Sequence, residues 1–255
     1  MNPPMLVDVH GYLKLIEPWG TGEGGVGTER SISSFTDEPD YEVGIIEAAR
    51  QSTQASFRGW EHDQKLLEFL FTNKPQHAGP FEFAGMTIEV QAPIFVFREW
   101  HRHRTQSYNE MSARYAPLPE LYFMPELDDV MRRAHRETRN KQAKGLPGTF
   151  LSESNARLWL EMVDAYFTQS EQIYQFALNA GVPKELARIT MPVGHYSRMR
   201  ATGNLRNWLA FLLLRMDPNA QLEIRRYANT VGTIIQRVFP RTWQLFQPID
   251  TRTNE

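Results

Sequence analysis

The chain has 255 residues, 41% hydrophobic and 23% charged, which is ordinary globular usage and excludes disorder as a whole-chain reading. Lys and Arg number 28 against 30 Asp and Glu, so the formal net charge of -2 excludes a globally basic coat for nucleic acid. The absence of cysteine removes disulfides, thiolate metal sites, iron–sulfur clusters and a cysteine nucleophile together.

In chain order, Leu6 to Ile16 reads as a short strand pair around Gly11. Gly20 to Thr28 holds five glycines without a Gly-Lys-Ser/Thr ending or a dinucleotide fingerprint, so it reads as a flexible loop rather than a phosphate cradle. Asp40 to Arg50 is helical, with Val43, Ile46 and Ala49 on one face. Glu61 to Phe71 is a second helix, stopped by Asn73, Lys74 and Pro75. Met86, Ile88 and Val90 alternate with Thr87, Glu89 and Gln91, the period of a strand with one buried face. Pro93 then opens an apolar turn over Ile94 to Phe97. Residues 117–148 read as a surface excursion made basic by Arg132, Arg133, Arg136, Arg139, Lys141 and Lys144.

Ser154 is placed to cap a long helix ending at Ala180, with Gly181 at its C′ position and Pro183 starting a short helix. Met191 to Thr202 reads as extended. Leu205 to Met216 is an apolar helix, and after Asp217-Pro218 a last helix runs to Val238, before Pro240. Helices outnumber strands, which points to an α+β single domain. The first nine residues carry no basic leader and no long apolar run, and Trp208 to Leu214 is too short to span a bilayer. A cytoplasmic protein with no membrane partner is therefore expected.

Two segments concentrate chemistry. Arg98 to Tyr115 carries four arginines, two histidines and two glutamates among aromatic residues, whereas a solvated face is normally lysine-rich. Arg188 to Arg215 carries five arginines and no acidic residue. Planar guanidinium forks suit carboxylates and phosphates. Arg215 ends an apolar stretch and needs an anionic partner, either a ligand or a carboxylate from elsewhere in the chain. His101 and His103 do not form a metal site by spacing alone, because helical residues two apart diverge and neighbouring arginines repel a cation. A rival reading uses Tyr108, Tyr115 and Trp208 as stacking groups for a polynucleotide.

Arg102-His103-Arg104, seven residues and then Ser112 resemble the RHRx7S signature of the flavin-dependent thymidylate synthases. Further blocks agree in order: His77 to Glu82, Ser107, Asn109-Glu110, Arg114-Tyr115, Glu185 to Arg188, Met191-Pro192, Asn204 to Phe211, Leu214-Arg215 and Ala220 to Ile224. The resemblance implies conversion of dUMP to dTMP, with methylenetetrahydrofolate as carbon donor, NADPH as reductant and FAD as hydride carrier. It implies an α+β subunit with a small antiparallel sheet, assembled as a homotetramer with sites shared between chains. It implies neither a metal nor a nucleic-acid partner.

Residue by residue, it implies that His77, Gly79, Glu82, Arg102, His103, Arg104, Glu110, Asn204, Leu205, Arg206 and Ala210 contact FAD. The dUMP set is Glu99, Arg102, Glu110, Met111, Ser112, Ala113, Arg114, Arg188 and Arg215, with Ser112 and Arg114 on the phosphate. Arg215 is the catalytic residue, stabilising charge on the uracil ring. Three positions depart from the family pattern. Glu99 stands where glutamine is common, and its carboxylate is expected to pair with Arg98 or Arg102 if it turns from the nucleotide. Gly79 replaces a hydroxyl residue, and Ala210 replaces an Asn or His.

Overall fold

A computed structural model describes residues 3–22, 39–135, 145 and 149–246. Residues 23–28 of the glycine-rich segment and Arg136, Arg139, Lys141 and Lys144 lie outside the described residues. The architecture is α+β. Five antiparallel strands run in the order β1-β2-β3-β5-β4: β1 Met5–Leu6, β2 Tyr12–Trp19, β3 Gly85–Pro93, β4 Ser107–Glu110 and β5 Tyr196–Asn204. The helices are α1 Val43–Arg50, α2 Trp60–Thr72, α3 Ile94–Trp100, α4 Leu127–His135, α5 Glu153–Asn179, α6 Lys184–Ala187, α7 Leu205–Arg215, α8 Leu222–Val238 and α9 Pro240–Phe246.

Period-two alternation splits the sheet into two faces. Leu13, Leu15, Met86, Ile88, Val90, Met199 and Ala201 are buried in one core that continues into α1, α2, α3, α7 and α8. Across the other face, register aligns Lys14, Glu89, Arg200 and Asn109 in one polar rung. The register slips between Leu15 and Glu17, so an extra residue bends β2 near its end. Just beyond, Gly20 has φ +126°, and a Cβ there would lie 2.3 Å from the carbonyl oxygen of Tyr41. Its own carbonyl accepts from Gly44 N at 2.6 Å, so this glycine is packed against the start of α1 rather than free in a loop.

Several expected elements change. Ile94 to Phe97 is the first turn of a helix, not an apolar turn. Val96, Phe97 and Trp100 form its buried face, and the loop before β5 satisfies its first N–H groups: Ile94 N donates to His195 O at 2.9 Å and Phe95 N to Val193 O at 3.0 Å. Ser152, not Ser154, caps α5, with its hydroxyl accepting from Asn155 N at 3.2 Å. Gly181 follows that helix at φ +83°, the left-handed position expected. Pro240 ends α8 but also begins α9, where its missing N–H costs nothing. The buried Glu42 carboxylate accepts from Thr242 N at 2.6 Å and Arg241 N at 3.0 Å. Arg241 in turn pairs with Asp40 at 2.9 Å and lies 4.0 Å from the centre of the Trp60 ring. This clasp fixes α9 to the start of α1. The 117–148 excursion contains α4, and Tyr122 bridges to His195.

No helix among the described residues is long and apolar enough to cross a membrane.

Candidate active site

The two arginine-rich segments meet. β3 runs directly into α3, which ends at Trp100; residues 101–106 then turn back into β4. Trp100 is fully buried and stacked on Phe211 of α7, with ring centroids 4.7 Å apart. Its indole N–H donates to Gln106 Oε1 at 3.1 Å. The Tyr108 hydroxyl reaches back to the carbonyls of His103 at 2.7 Å and Trp100 at 3.1 Å. Burial pushes the pKa of this phenol up, so it is a donor throughout the working pH range. Asn207 Nδ2 donates to Thr105 O at 2.9 Å, joining α7 to the same turn.

Arg215 closes the arrangement. Its Nη1 donates to Glu99 Oε2 at 2.8 Å, its Nη2 to Glu99 O at 2.9 Å, and its Nε to His103 Nε2 at 2.9 Å. Glu99 therefore pairs with Arg215, correcting the expectation of Arg98 or Arg102. Sequence adjacency misled here, because Arg98 and Arg102 are exposed while Arg215 is mostly enclosed. An Nε2 that accepts must be unprotonated, so His103 is the neutral Nδ1–H tautomer. Burial first, and the Arg215 charge second, push its pKa down to about 4. His101 instead stacks on Phe97 and leans on Tyr108. The two histidine rings thus serve different neighbours and do not converge on a shared metal position.

Arg102 and Arg104 flank His103, are exposed, and have no hydrogen-bonding or ion-pair partner among the described residues. Near the start of α7, Arg206 pairs with Glu82 of the turn Gly79–Phe83. His77 and Gly79 lie exposed beside it, and a Cβ at Gly79 would meet only open space. Asn204 caps α7, its Oδ1 accepting from Asn207 N at 3.0 Å, which leaves its amide nitrogen for other use. Leu205 is fully buried and its N–H donates to Ala84 O at 2.7 Å, so neither its side chain nor its N–H can reach a ligand. Ala210 is exposed on the same helix.

The remaining residues gather elsewhere. Glu110 ends β4, and Met111 N continues the pairing to Arg198 O at 2.8 Å. Ser112 Oγ accepts from Arg114 N at 3.3 Å, and Ala113 is buried beneath them. Arg114 faces Glu185 across 3.6 Å, with both side chains more than half exposed, a contact weak enough for an anion to replace. Arg188, in the turn after α6, is exposed and has no partner among the described residues. Two groups result, the 101–106 turn with α7 and the 110–114 segment with 184–188, at opposite ends of β4. Four strand residues span roughly 10 Å. Trp208 is fully buried with its indole N–H on Met86 O, so it offers no stacking face to a polynucleotide. Gln106, whose bonds shape the turn together with those of Tyr108, had no chemical signature in the sequence beyond its proximity to His103, and Tyr108 stood out only as a stacking group.

Comparison with known proteins gives one consistent result. Residues 33–241 match the family model described as thymidylate synthase complementing protein. A flavin-dependent thymidylate synthase of Thermotoga neapolitana is 34% identical over 218 residues, covering 86% of this chain and 91% of the relative. One from Thermus thermophilus is 34% identical over 219 residues, covering 86% of this chain and 76% of its own length. Among solved structures, a UMP/dUMP methylase from Streptomyces cacaoi bound with 5-Br dUMP superposes with a TM-score of 0.71 at 26% identity, covering 93% of this chain and 94% of that one.

Proposed function

The chain belongs to the flavin-dependent thymidylate synthase family, and from that premise we propose that it makes dTMP by reductive methylation of dUMP, using FAD, methylenetetrahydrofolate and NADPH. The observation that carries the reading is the junction of Arg215 with His103 and Glu99, which puts a fixed guanidinium beside the Arg102-His103-Arg104 turn. Every reactant is an anion, and three guanidiniums stand ready for them: Arg102, Arg104 and Arg188 are exposed and without partners among the described residues.

The donor set fits FAD. Free guanidiniums at Arg102 and Arg104 match a pyrophosphate, while His77, Gly79 and the Glu82–Arg206 pair offer an open polar edge alongside. Asn204 can contribute its amide nitrogen and Ala210 only its methyl group. When bound, the flavin would carry reducing equivalents from NADPH to the one-carbon unit. The protein's own part is positional and electrostatic. Neutral His103 accepts from Arg215 and so fixes the guanidinium plane. Arg215 would then face a uracil oxygen and stabilise the negative charge that builds as C5 attacks the carbon donor. Ser112 and Arg114 would hold the dUMP phosphate, with Arg188, Glu110, Met111 and Ala113 around it.

The separation of the two groups along β4 supports sites completed by a second subunit. Apolar side chains on α5 support self-association: Met162 is 63% and Phe176 73% exposed, with Trp159, Tyr166 and Ile173 also open. A homotetramer in the cytoplasm is the assembly proposed. The test is a visible absorption spectrum with flavin bands, followed by tritium release from 5-tritiated dUMP in the presence of methylenetetrahydrofolate and NADPH. A colourless protein that neither takes up FAD nor releases tritium refutes the reading.

A further inference from the structure

We propose that Arg98 sets the choice of reductant, by binding the 2′-phosphate that NADPH carries and NADH lacks. The inference rests on the functional reading above and deepens it. Arg98 lies on α3, four residues before Arg102. His101 N donates to Phe97 O at 2.8 Å, so the helical path continues past Trp100. At about 100° per residue, the two arginines stand roughly 40° apart around the axis and about 6 Å apart along it. Both lie on the side away from the buried residues Val96, Phe97 and Trp100. Both are exposed, and neither has a hydrogen bond or ion pair among the described residues. Like charges at this spacing repel, and no carboxylate among the described residues offsets them. Such a pair is suited to hold a phosphate, which would relieve the repulsion.

Position and surroundings select the reductant among the anions of the reaction. Ser112, Arg114 and Arg188 already answer the dUMP phosphate at the other end of β4, and Arg102 with Arg104 answers the FAD pyrophosphate. The phosphate of the reductant has no partner yet. Arg98 lies one helical turn back from the His103 turn, so it meets a part of a ligand remote from the reacting atoms, as the adenosine end of NADPH is. Phe95, three residues before Arg98, shares that face of α3. It is partly buried and packs edge-on against Phe123, with ring centroids 5.4 Å apart and planes at 72°. An aromatic edge beside a free guanidinium suits an adenosine that carries a 2′-phosphate: the base lies against the ring and the planar fork takes the phosphate. NADH would keep the first contact and lose the second, so the two reductants are told apart by one charged group. The folate tail is anionic as well, and its own KM is the control that separates it from the reductant.

The test compares Arg98→Ala and Arg98→Lys with the parent, all loaded with FAD. Reduction of the bound flavin by NADPH and by NADH gives the discrimination, and equilibrium binding of 2′,5′-ADP against 5′-ADP reads the phosphate contact without turnover. The parent is expected to favour NADPH and 2′,5′-ADP. Arg98→Ala should lower kcat/KM for NADPH about tenfold and weaken 2′,5′-ADP by a similar factor, while the values for NADH and 5′-ADP stay within about twofold. Arg98→Lys should fall between parent and Arg98→Ala, because a point charge holds a phosphate without the fork. Equal losses for NADPH and NADH, a parent that uses the two alike, or a loss that falls on the KM for methylenetetrahydrofolate or dUMP instead overturns the assignment and leaves the functional reading standing. A parent that takes up no FAD, or whose bound flavin neither nucleotide reduces, overturns both.

Discussion

Replacing Tyr108 with Phe removes one oxygen atom from the turn that carries Arg102, His103 and Arg104. The ring's packing against His101 at 4.8 Å is preserved, so the change isolates the hydroxyl. That hydroxyl donates to His103 O at 2.7 Å and has Trp100 O at 3.1 Å and Gln106 Oε1 at 3.3 Å as secondary acceptors. Gln106 keeps its bond from the Trp100 indole, but His103 O loses its short donor. His103 O keeps the bond from Gln106 N at 3.2 Å and Trp100 O the one from His103 N at 3.0 Å, so the loss is one partly buried hydrogen bond with no acceptor stranded, about 1 kcal/mol. If those bonds order the turn for ligands, a comparable cost must be met when flavin binds, weakening it by roughly fivefold. Urea unfolding at fixed flavin-free conditions measures the first quantity, and fluorimetric titration with FAD the second. Parental stability together with a flavin dissociation constant within twofold of the parent would refute the claim that Tyr108 holds the turn.

Arg215→Ala should lower turnover by on the order of 10²–10³, as for loss of one oxyanion donor, and Arg215→Lys should recover only part of it. Near-parental tritium release with full flavin would make Arg215 a structural ion-pair partner alone. His195 is fully buried, T-stacked on Tyr122, and has no hydrogen-bond partner on either ring nitrogen among the described residues; burial pushes its pKa down to about 4. The unfolded chain, with an ordinary imidazole near pH 6.5, takes up a proton before the folded one, so folded stability falls as pH drops from there towards 4. His195→Leu should therefore keep stability at neutral pH and flatten that decline in urea midpoints, whereas a parental slope would show that the loss arises elsewhere. Glu42→Ala strands the N–H groups of Arg241 and Thr242 and should cost about 2–4 kcal/mol in urea unfolding, with proteolysis appearing in α9; a loss under about 1 kcal/mol would mean the clasp contributes little.

Elements with a clean period were readable in the chain alone. The alternation of Met86, Ile88 and Val90 located β3, and the apolar face from Leu205 located α7. What escaped depended on groups supplied from far away. α3 exists as a helix because the carbonyls of Val193 and His195 take its first N–H groups, and no property of Ile94 to Phe97 announces that. α9 likewise depends on a carboxylate about 200 positions earlier in the chain, at Glu42. In the site, residue types were legible but pairing was not. Arg215 needed an anion, and local spacing offered none. The carboxylate that answers it lies 116 positions away and was expected to serve its sequence neighbours. The shaping bonds of Tyr108 were invisible for the opposite reason: they are short-range, and any tyrosine near a turn could make them.

The strand order has a consequence for how the chain is made on the ribosome. β3 ends at residue 93 and β4 at residue 110, yet they do not pair with each other; both wait for β5, which is complete only at residue 204. During synthesis of the intervening stretch, β3 has β2 on one side and an open hydrogen-bonding edge on the other, and β4 has no neighbour at all. At about 5–20 residues per second, that interval lasts roughly 5–20 s. Asp8 adds to the delay, because the tyrosine hydroxyls that anchor it belong to Tyr196 and Tyr227. The nascent protein therefore carries an unfinished sheet throughout that interval, a period in which edge pairing between neighbouring chains on one polysome competes with the correct insertion of β5.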